Sequence, residues 1–297
     1  MATRGKSINL YLMDGEPVGR IKCTLANWTG VAYKIPRTAL DLCKERDDLK
    51  QSGIYFLFGT SDQTGNNIVY VGQAGARKNG EGLLYRLQEH KRNPNKDYWT
   101  EAVLFTTSNN SFGPTEISYL ENRFCGLALA AKRYDVRNGN DPTQGNITEE
   151  KESELEEFVE YARIVMGTLG HKVFEPLAAH SATASDDADA HIVIADEPLL
   201  QFDRPAGKAM GHRTSEGFVV LKGSVLSIKL QRSCPENARK FRMKYSDKID
   251  ANGILIEDAL LTSPSAAAAF VGGSSLSGNI TWKTADGRTL KDIESKE

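Results

Sequence analysis

Two short apolar runs, GIYFLFG at Gly53–Gly59 and IVYVGQA at Ile68–Ala74, flank the polar stretch Thr60–Asn67. Both are rich in β-branched and aromatic residues and end at glycine or polar clusters, a pattern that predicts neighbouring strands. In LLYRLQEHKR, Leu83, Leu84 and Leu87 recur at helical spacing and predict a helix near Gly82–Arg92, with a third strand near Ala102–Thr107. Beyond Pro114, the residues Ile117, Leu120, Phe124, Leu127, Ala128 and Ala131 share one helical face, which must pack on the sheet. A second long helix follows Thr148, an N-cap residue with glutamates in the first turn, which suit the helix dipole. Its apolar stripe includes Leu155, Phe158, Ala162 and Leu169, and Gly170 is its stop signal.

Upstream, SINLYLM and VGRIKCTL predict a hairpin around Asp14-Gly15, followed by NWTG and a helical-looking PRTALDLCKERDDLK. The tract Ala178–His191, AAHSATASDDADAH, is small, polar and acidic with nothing to bury, and reads as an interdomain linker. Strand-like GFVVLKGSVLSIKL, helix-like ENARKFRMKYSDKI and the glycine- and serine-rich end then predict a small α+β domain. The chain divides accordingly into an appendage over 1–50, a core domain over 51–177, a linker over 178–191 and an accessory domain over 192–297. No internal repeat is present.

A length of 297 residues exceeds the usual single domain and agrees with this division. No apolar run reaches the ~18–20 residues that cross a bilayer, and no sustained apolar stretch precedes Asp14, so a cytoplasmic protein with no membrane partner is expected. Cys23, Cys43, Cys125 and Cys234 lack metal-ligand or disulfide spacing and read as buried thiols of a reducing compartment. The net charge of −2 conceals segregation along the chain. Glutamates crowd Glu149–Glu160, which reads as a solvated face, whereas Arg77, Lys78, Arg86, Lys91, Arg92 and Lys96 crowd the segment after the second tyrosine.

That basic segment surrounds the candidate chemistry. Arg86 and His90, at i and i+4, project side by side, and read either as a surface Arg beside a surface His or as a pair that can meet one ligand. Glu121 lies on the border of a buried stripe, where carboxylates are paired or metal-bound, with Arg123 or Lys132 as partners in the plainer reading. Tyr55 and Tyr70 read either as core aromatics with satisfied hydroxyls or as two phenols held over one site. Gly72, Gly75, Gly80 and Gly82 either let a backbone approach nucleic acid or make a flexible loop.

Taken in order, GIYFLFG, IVYVGQA, LYRLQEH and ISYLENRF resemble the motifs of the GIY-YIG nuclease family over about Gly53–Asn138. The resemblance implies an α+β fold with a three-stranded antiparallel sheet flanked by helices, and a metal-dependent endonuclease that hydrolyses phosphodiester bonds in DNA, with RNA as a further candidate substrate. It implies catalytic roles for Tyr55, for Tyr70 in a YVG whose Val71 replaces isoleucine, and for Arg86, His90 and Glu121. Asn138 matches the asparagine that follows, with Asn140 as the neighbouring alternative. Glu121 would be the metal ligand, for Mg²⁺ or Mn²⁺, and Arg77, Lys78, Lys91, Arg92 and Lys96 would neutralise backbone phosphates. The C-terminal segments resemble a domain of unknown function appended to bacterial members, which implies a targeting role; there Trp282, Lys283 and Arg288 read either as a stacking and pairing set or as core and turn. The rival reading of the whole chain is a nucleic-acid-binding protein whose nuclease scaffold is inactive.

Overall fold

The computed structural model describes residues 5–75, 82–138, 147–177 and 197–295. The chain forms two compact units, residues 1–176 and 177–297. The first contains strands β1 (Ile8–Leu12), β2 (Ile21–Leu25), β3 (Gly30–Pro36), β4 (Gly53–Thr60) and β5 (Asn67–Ala74), then helix α1 (Leu83–Arg92) and strand β6 (Trp99–Thr107). Helix α2 (Pro114–Ala131), the short strand β7 (Asp135–Val136) and helix α3 (Glu149–Thr168) complete it. The fold is α+β, and its sheet is seven-stranded and mixed, in the order β1-β2-β3-β6-β4-β5-β7. All neighbours are antiparallel except β5 and β7.

The expected strands β4, β5 and β6 are contiguous, but the N-terminal segment is no appendage. Strand β3 pairs with β6 along seven residues, from Gly30↔Thr107 to Pro36↔Glu101, and so extends the sheet across its middle. The hairpin connection is also longer than an Asp14-Gly15 turn: β1 ends at Leu12 and β2 begins at Ile21. Asp14 organises this loop by accepting hydrogen bonds from the Arg20 backbone N–H and guanidinium. The helical-looking stretch that follows forms two 3₁₀ segments, Arg37–Cys43 and Asp47–Leu49.

Strand alternation divides the apolar residues between the faces of the sheet. Ile54, Phe56, Phe58, Val69, Val71, Val103 and Phe105 pack with residues of α2 and α3, including Phe124, Phe158 and Val165. Tyr55, Leu57 and Leu104 face the other way, with Leu83, Leu84 and Leu87 of α1 and with Leu40 and Leu49 of the 3₁₀ segments. Full burial of each Leu, Val or Phe contributes about 1.5–3 kcal/mol, so both layers hold the sheet. Thr148 caps α3 by accepting from the Lys151 N–H, and Gly170, at φ 98°, closes its far end in the left-handed conformation foreseen for a stop.

In the second unit, β8 (Leu200–Arg204), β9 (Gly207–Thr214), β10 (Gly217–Val220) and β11 (Ala259–Leu261) form an antiparallel sheet in the order β11-β10-β9-β8. Helices α4 (Glu236–Lys244), α5 (Pro264–Gly272), α6 (Gly278–Thr281) and α7 (Leu290–Glu294) accompany it. The strand-like GFVVLKGSVLSIKL contributes only β10, because its continuation turns at Gly223, where φ is 83°. Trp282 is a core residue and unavailable for base stacking: it has no exposed surface, lies 4.5 Å from the Phe218 ring and donates through Nε1 to the Pro264 carbonyl at 3.0 Å. The four cysteines are buried free thiols. Among the described residues no helix is long and apolar enough to cross a membrane.

Candidate active site

Strand register brings the two tyrosines together. Tyr55 lies opposite Gly72 and Leu57 opposite Tyr70, so the tyrosines are diagonal neighbours on one face, with ring centroids 6.2 Å apart. Gly72 permits this arrangement. A Cβ there would stand 2.3 Å from the Tyr55 hydroxyl oxygen, so the ring occupies the space of a missing side chain. The glycine thus makes room for Tyr55 rather than for nucleic acid. Gly82 likewise serves chain packing, since its Cβ would stand 2.1 Å from the Lys50 carbonyl oxygen, whereas Gly75 is exposed. Gly80 lies outside the described residues.

Helix α1 covers the tyrosine face. Leu83 and Leu87 anchor it, and one turn further His90 is buried with Nε2 2.7 Å from the Tyr55 hydroxyl. Burial, reinforced by the charges of Lys96 and Arg86, lowers the His90 pKa to about 4. Burial also pushes the Tyr55 phenol well above its usual range; Tyr70 adds to the shift and Arg86 opposes it. At neutral pH the pair is therefore a protonated phenol and a neutral imidazole. The contact suits the Nδ1-protonated tautomer, in which the hydroxyl donates to Nε2. Arg86 is half-exposed and donates from Nη1 to Glu89 Oε2 at 2.7 Å.

Glu121 comes from α2, on the opposite face of the sheet, and reaches the group at the edge of β5. Strand β7 pairs with β5 only at Ile68 and Val69. Beyond Val71 the edge has no ladder partner among the described residues. There Gln73, which shares the α2 side with Val69 and Val71, donates from Nε2 to Glu121 Oε2 at 2.8 Å. Burial raises the Glu121 carboxyl above its usual range, against the Gln73 hydrogen bonds and the Arg86 charge. Arg123, proposed as a plain partner for Glu121, instead pairs with Glu156 at 2.8 Å.

Asn138 takes a different place from the catalytic one assigned by motif. Its Oδ1 accepts from the Val71 N–H at 3.0 Å and its Nδ2 donates to the Val71 carbonyl at 2.8 Å. Both ends of the amide are committed to the backbone beside Tyr70, which makes Asn138 a positioning residue for the strand. Asn140 lies outside the described residues, as do Arg77 and Lys78. The other basic residues do not form one row. Lys91 pairs with Asp41 at 2.7 Å, Arg92 is exposed at the end of α1, and Lys96 places Nζ 3.4 Å from the centroid of the Tyr70 ring.

Among the described residues no three His, Cys, Asp or Glu side chains group to hold a metal ion. Glu121 is nevertheless a fitting single ligand. It is a hard oxygen donor at a half-exposed position, with one oxygen fixed by Gln73, and Mg²⁺ keeps several waters and needs only one or two carboxylates. Sequence reasoning missed Gln73, although alternation along β5 places it on the α2 face of the motif. It also missed Arg37, whose guanidinium grips the turn between α1 and β6 through the carbonyls of Lys91, Lys96, Asp97 and Trp99.

No curated protein and no solved structure matches the chain. No GIY-YIG family match accompanies the motifs of the first unit. The family described as "Domain of unknown function (DUF4357)" matches residues 200–294, a span that runs from β8 to α7 and so takes in every strand and helix among the described residues of the second unit.

Proposed function

We propose that the first unit is a divalent-metal-dependent endonuclease that hydrolyses phosphodiester bonds in DNA, with the second unit as its targeting module. One observation carries this reading: a phenol bonded to a neutral imidazole, a guanidinium and a half-buried carboxylate meet beside the end of β5 that has no further ladder partner among the described residues. Phosphodiester hydrolysis needs these functions, namely a proton acceptor for water, a cation for the phosphoryl oxygens and an anionic donor for a metal.

Arg86 binds the scissile phosphate through its planar fork and keeps its charge at any working pH. Tyr55 is too strongly held in its protonated form to act alone. It takes a proton from water at its oxygen as it passes its own to His90 Nε2, and the negative charge of a bound phosphate raises the proton affinity of that imidazole. Tyr70 orients the water or the phosphate through its hydroxyl. Glu121 would hold Mg²⁺ or Mn²⁺, which when bound supplies Lewis-acid stabilisation of the phosphoryl and leaving oxygens. Gln73 aims the carboxylate by its hydrogen bond.

The test is incubation of the full chain with labelled duplex DNA, single-stranded DNA and RNA, with and without Mg²⁺. Cleavage of DNA that requires the ion is expected. Glu121→Gln should abolish cutting while the affinity for DNA stays within a few-fold. Cutting by Glu121→Gln at the native rate would refute the site, and binding of DNA without cleavage by the native chain would assign the scaffold to nucleic-acid binding.

A further inference from the structure

The Lys96 ammonium is an unusually placed charge. It sits on the face of the Tyr70 ring, 3.4 Å from the centroid, half-buried and with no carboxylate partner among the described residues. A second cation, Arg86, is near enough to act on it. Glu89 balances Arg86 at 2.7 Å, but among the described residues no ion pair balances Lys96. Removing an ammonium from water without a counterion is unfavourable, and cation–π attraction returns only about 0.5–2 kcal/mol.

The position is held by purpose-built contacts rather than by the lysine itself. Lys96 ends the turn Pro94–Lys96 between α1 and β6. Arg37, from the segment after β3, donates to the carbonyls of Lys91, Lys96, Asp97 and Trp99 at 3.0–3.2 Å, and its guanidinium lies 4.7 Å from the Trp99 ring. Those bonds fix the turn at both ends, so the ammonium stays over Tyr70 without an anion to hold it.

We propose that Lys96 is a second phosphate anchor of the site: its ammonium, kept over Tyr70 by the Arg37-pinned turn, binds a phosphate oxygen of the nucleic-acid backbone. The proposal rests on the nucleic-acid reading of the site and goes beyond general neutralisation of phosphates by the basic segment, since it gives Lys96 one defined phosphate, the one beside Tyr70. It also gives the N-terminal segment a part in substrate binding.

Burial, with the Arg86 charge, lowers the Lys96 pKa to about 8. The titratable and charged groups around it are Arg37 after β3, Arg86, Glu89 and His90 on α1, Tyr70 on β5, Tyr55 on β4 and Tyr98 before β6. His90 titrates at about 4, burial raises the phenols of Tyr55 and Tyr70, and Tyr98 is pushed up to about 12. Lys96 is therefore the group expected to change charge in the window above pH 7. A bound phosphate favours the ammonium and raises its pKa. Affinity is thus complete below pH 8 and falls as pH rises, by up to about tenfold per pH unit until the bound-state pKa is reached.

The experiment measures the affinity of the full chain for a labelled DNA duplex from pH 6.5 to 9.5 at constant ionic strength, in a Glu121→Gln background without added metal. A fall of about tenfold across the range is expected. Adding Lys96→Arg should keep the affinity and flatten the profile. Adding Lys96→Met should weaken binding about five- to tenfold at pH 7, as expected for loss of a charge-assisted hydrogen bond, and also flatten it. A flat profile in the background protein, or a fall that survives either substitution, overturns the proposal. Failure of the endonuclease reading is separately visible, because it appears as absence of cleavage by the Glu121 protein while this pH-dependent binding persists.

Discussion

Gly72→Ala tests the central packing relation of the candidate site. The added methyl carbon would stand 2.3 Å from the Tyr55 hydroxyl oxygen and 2.4 Å from the ring carbon that carries it. Carbon atoms rest about 3.5–4 Å apart, so the ring must retreat by roughly 1.2 Å or more. It has little room to do so. Tyr55 is 1% exposed and is bounded by the rings of Tyr70 and His90 at 6.2 and 5.3 Å. Overpacking of this kind costs about 1–3 kcal/mol. The same displacement stretches the 2.7 Å contact to His90 beyond hydrogen-bonding range, which costs about 1 kcal/mol more. A shift of ~1 Å in a reacting group lowers rates about 100-fold. Urea unfolding followed by tryptophan fluorescence gives the first quantity, and single-turnover cleavage in Mg²⁺ gives the second. The double variant Tyr55→Phe with Gly72→Ala should stay destabilised, because the ring carbon clashes as the oxygen does. Native stability and rate in Gly72→Ala would refute the packing and the role of Tyr55 built on it.

Asn138→Ala removes both hydrogen bonds to the Val71 backbone and should lower stability by about 1–2 kcal/mol, with slower cleavage through a loosened Tyr70; an unchanged unfolding midpoint and rate would show that the splint is dispensable. The His90 pKa, lowered from 6.5 to about 4 by burial, means that below pH 6.5 the unfolded chain binds a proton that the folded chain refuses. Stability should therefore fall between pH 6.5 and 4, and His90→Gln should make the melting temperature less pH-dependent over that window.

The placement of the tyrosines was legible because strand alternation is a local rule. With the two motifs paired antiparallel so that Tyr55 lies opposite Gly72, Tyr70 two residues away falls on the same face, and the spacing of Leu83, Leu87 and His90 puts the imidazole beneath them. Glu121 was legible as a boundary residue, but its approach around the β5 edge was not, since that depends on where β7 stops pairing. Strand β3 went unread because GVAYKIP ends at a proline and its partner, β6, lies far along the chain. Arg37 has no signature at all, since its targets are backbone carbonyls that any sequence provides. Trp282 carried a double reading because an aromatic beside basic residues fits a core and a stacking platform equally, and only the surrounding Phe202 and Phe218 decide between them.

The sheet order has a consequence for how the chain is made. Strand β6 lies between β3 and β4, although both of those precede it in the chain. During synthesis the hairpins β1-β2-β3 and β4-β5 can each close as they emerge, yet each then displays an unpaired inner edge. At about 5–20 residues per second, several seconds separate the end of β4 from the end of β6. For that interval the nascent chain holds two half-sheets awaiting one shared strand, and both open edges are templates for pairing with other chains. Emergence of Thr107, the last residue of β6, is thus the event that closes both edges, and a chain halted with β4 outside the ribosome and β6 still inside would present both at once.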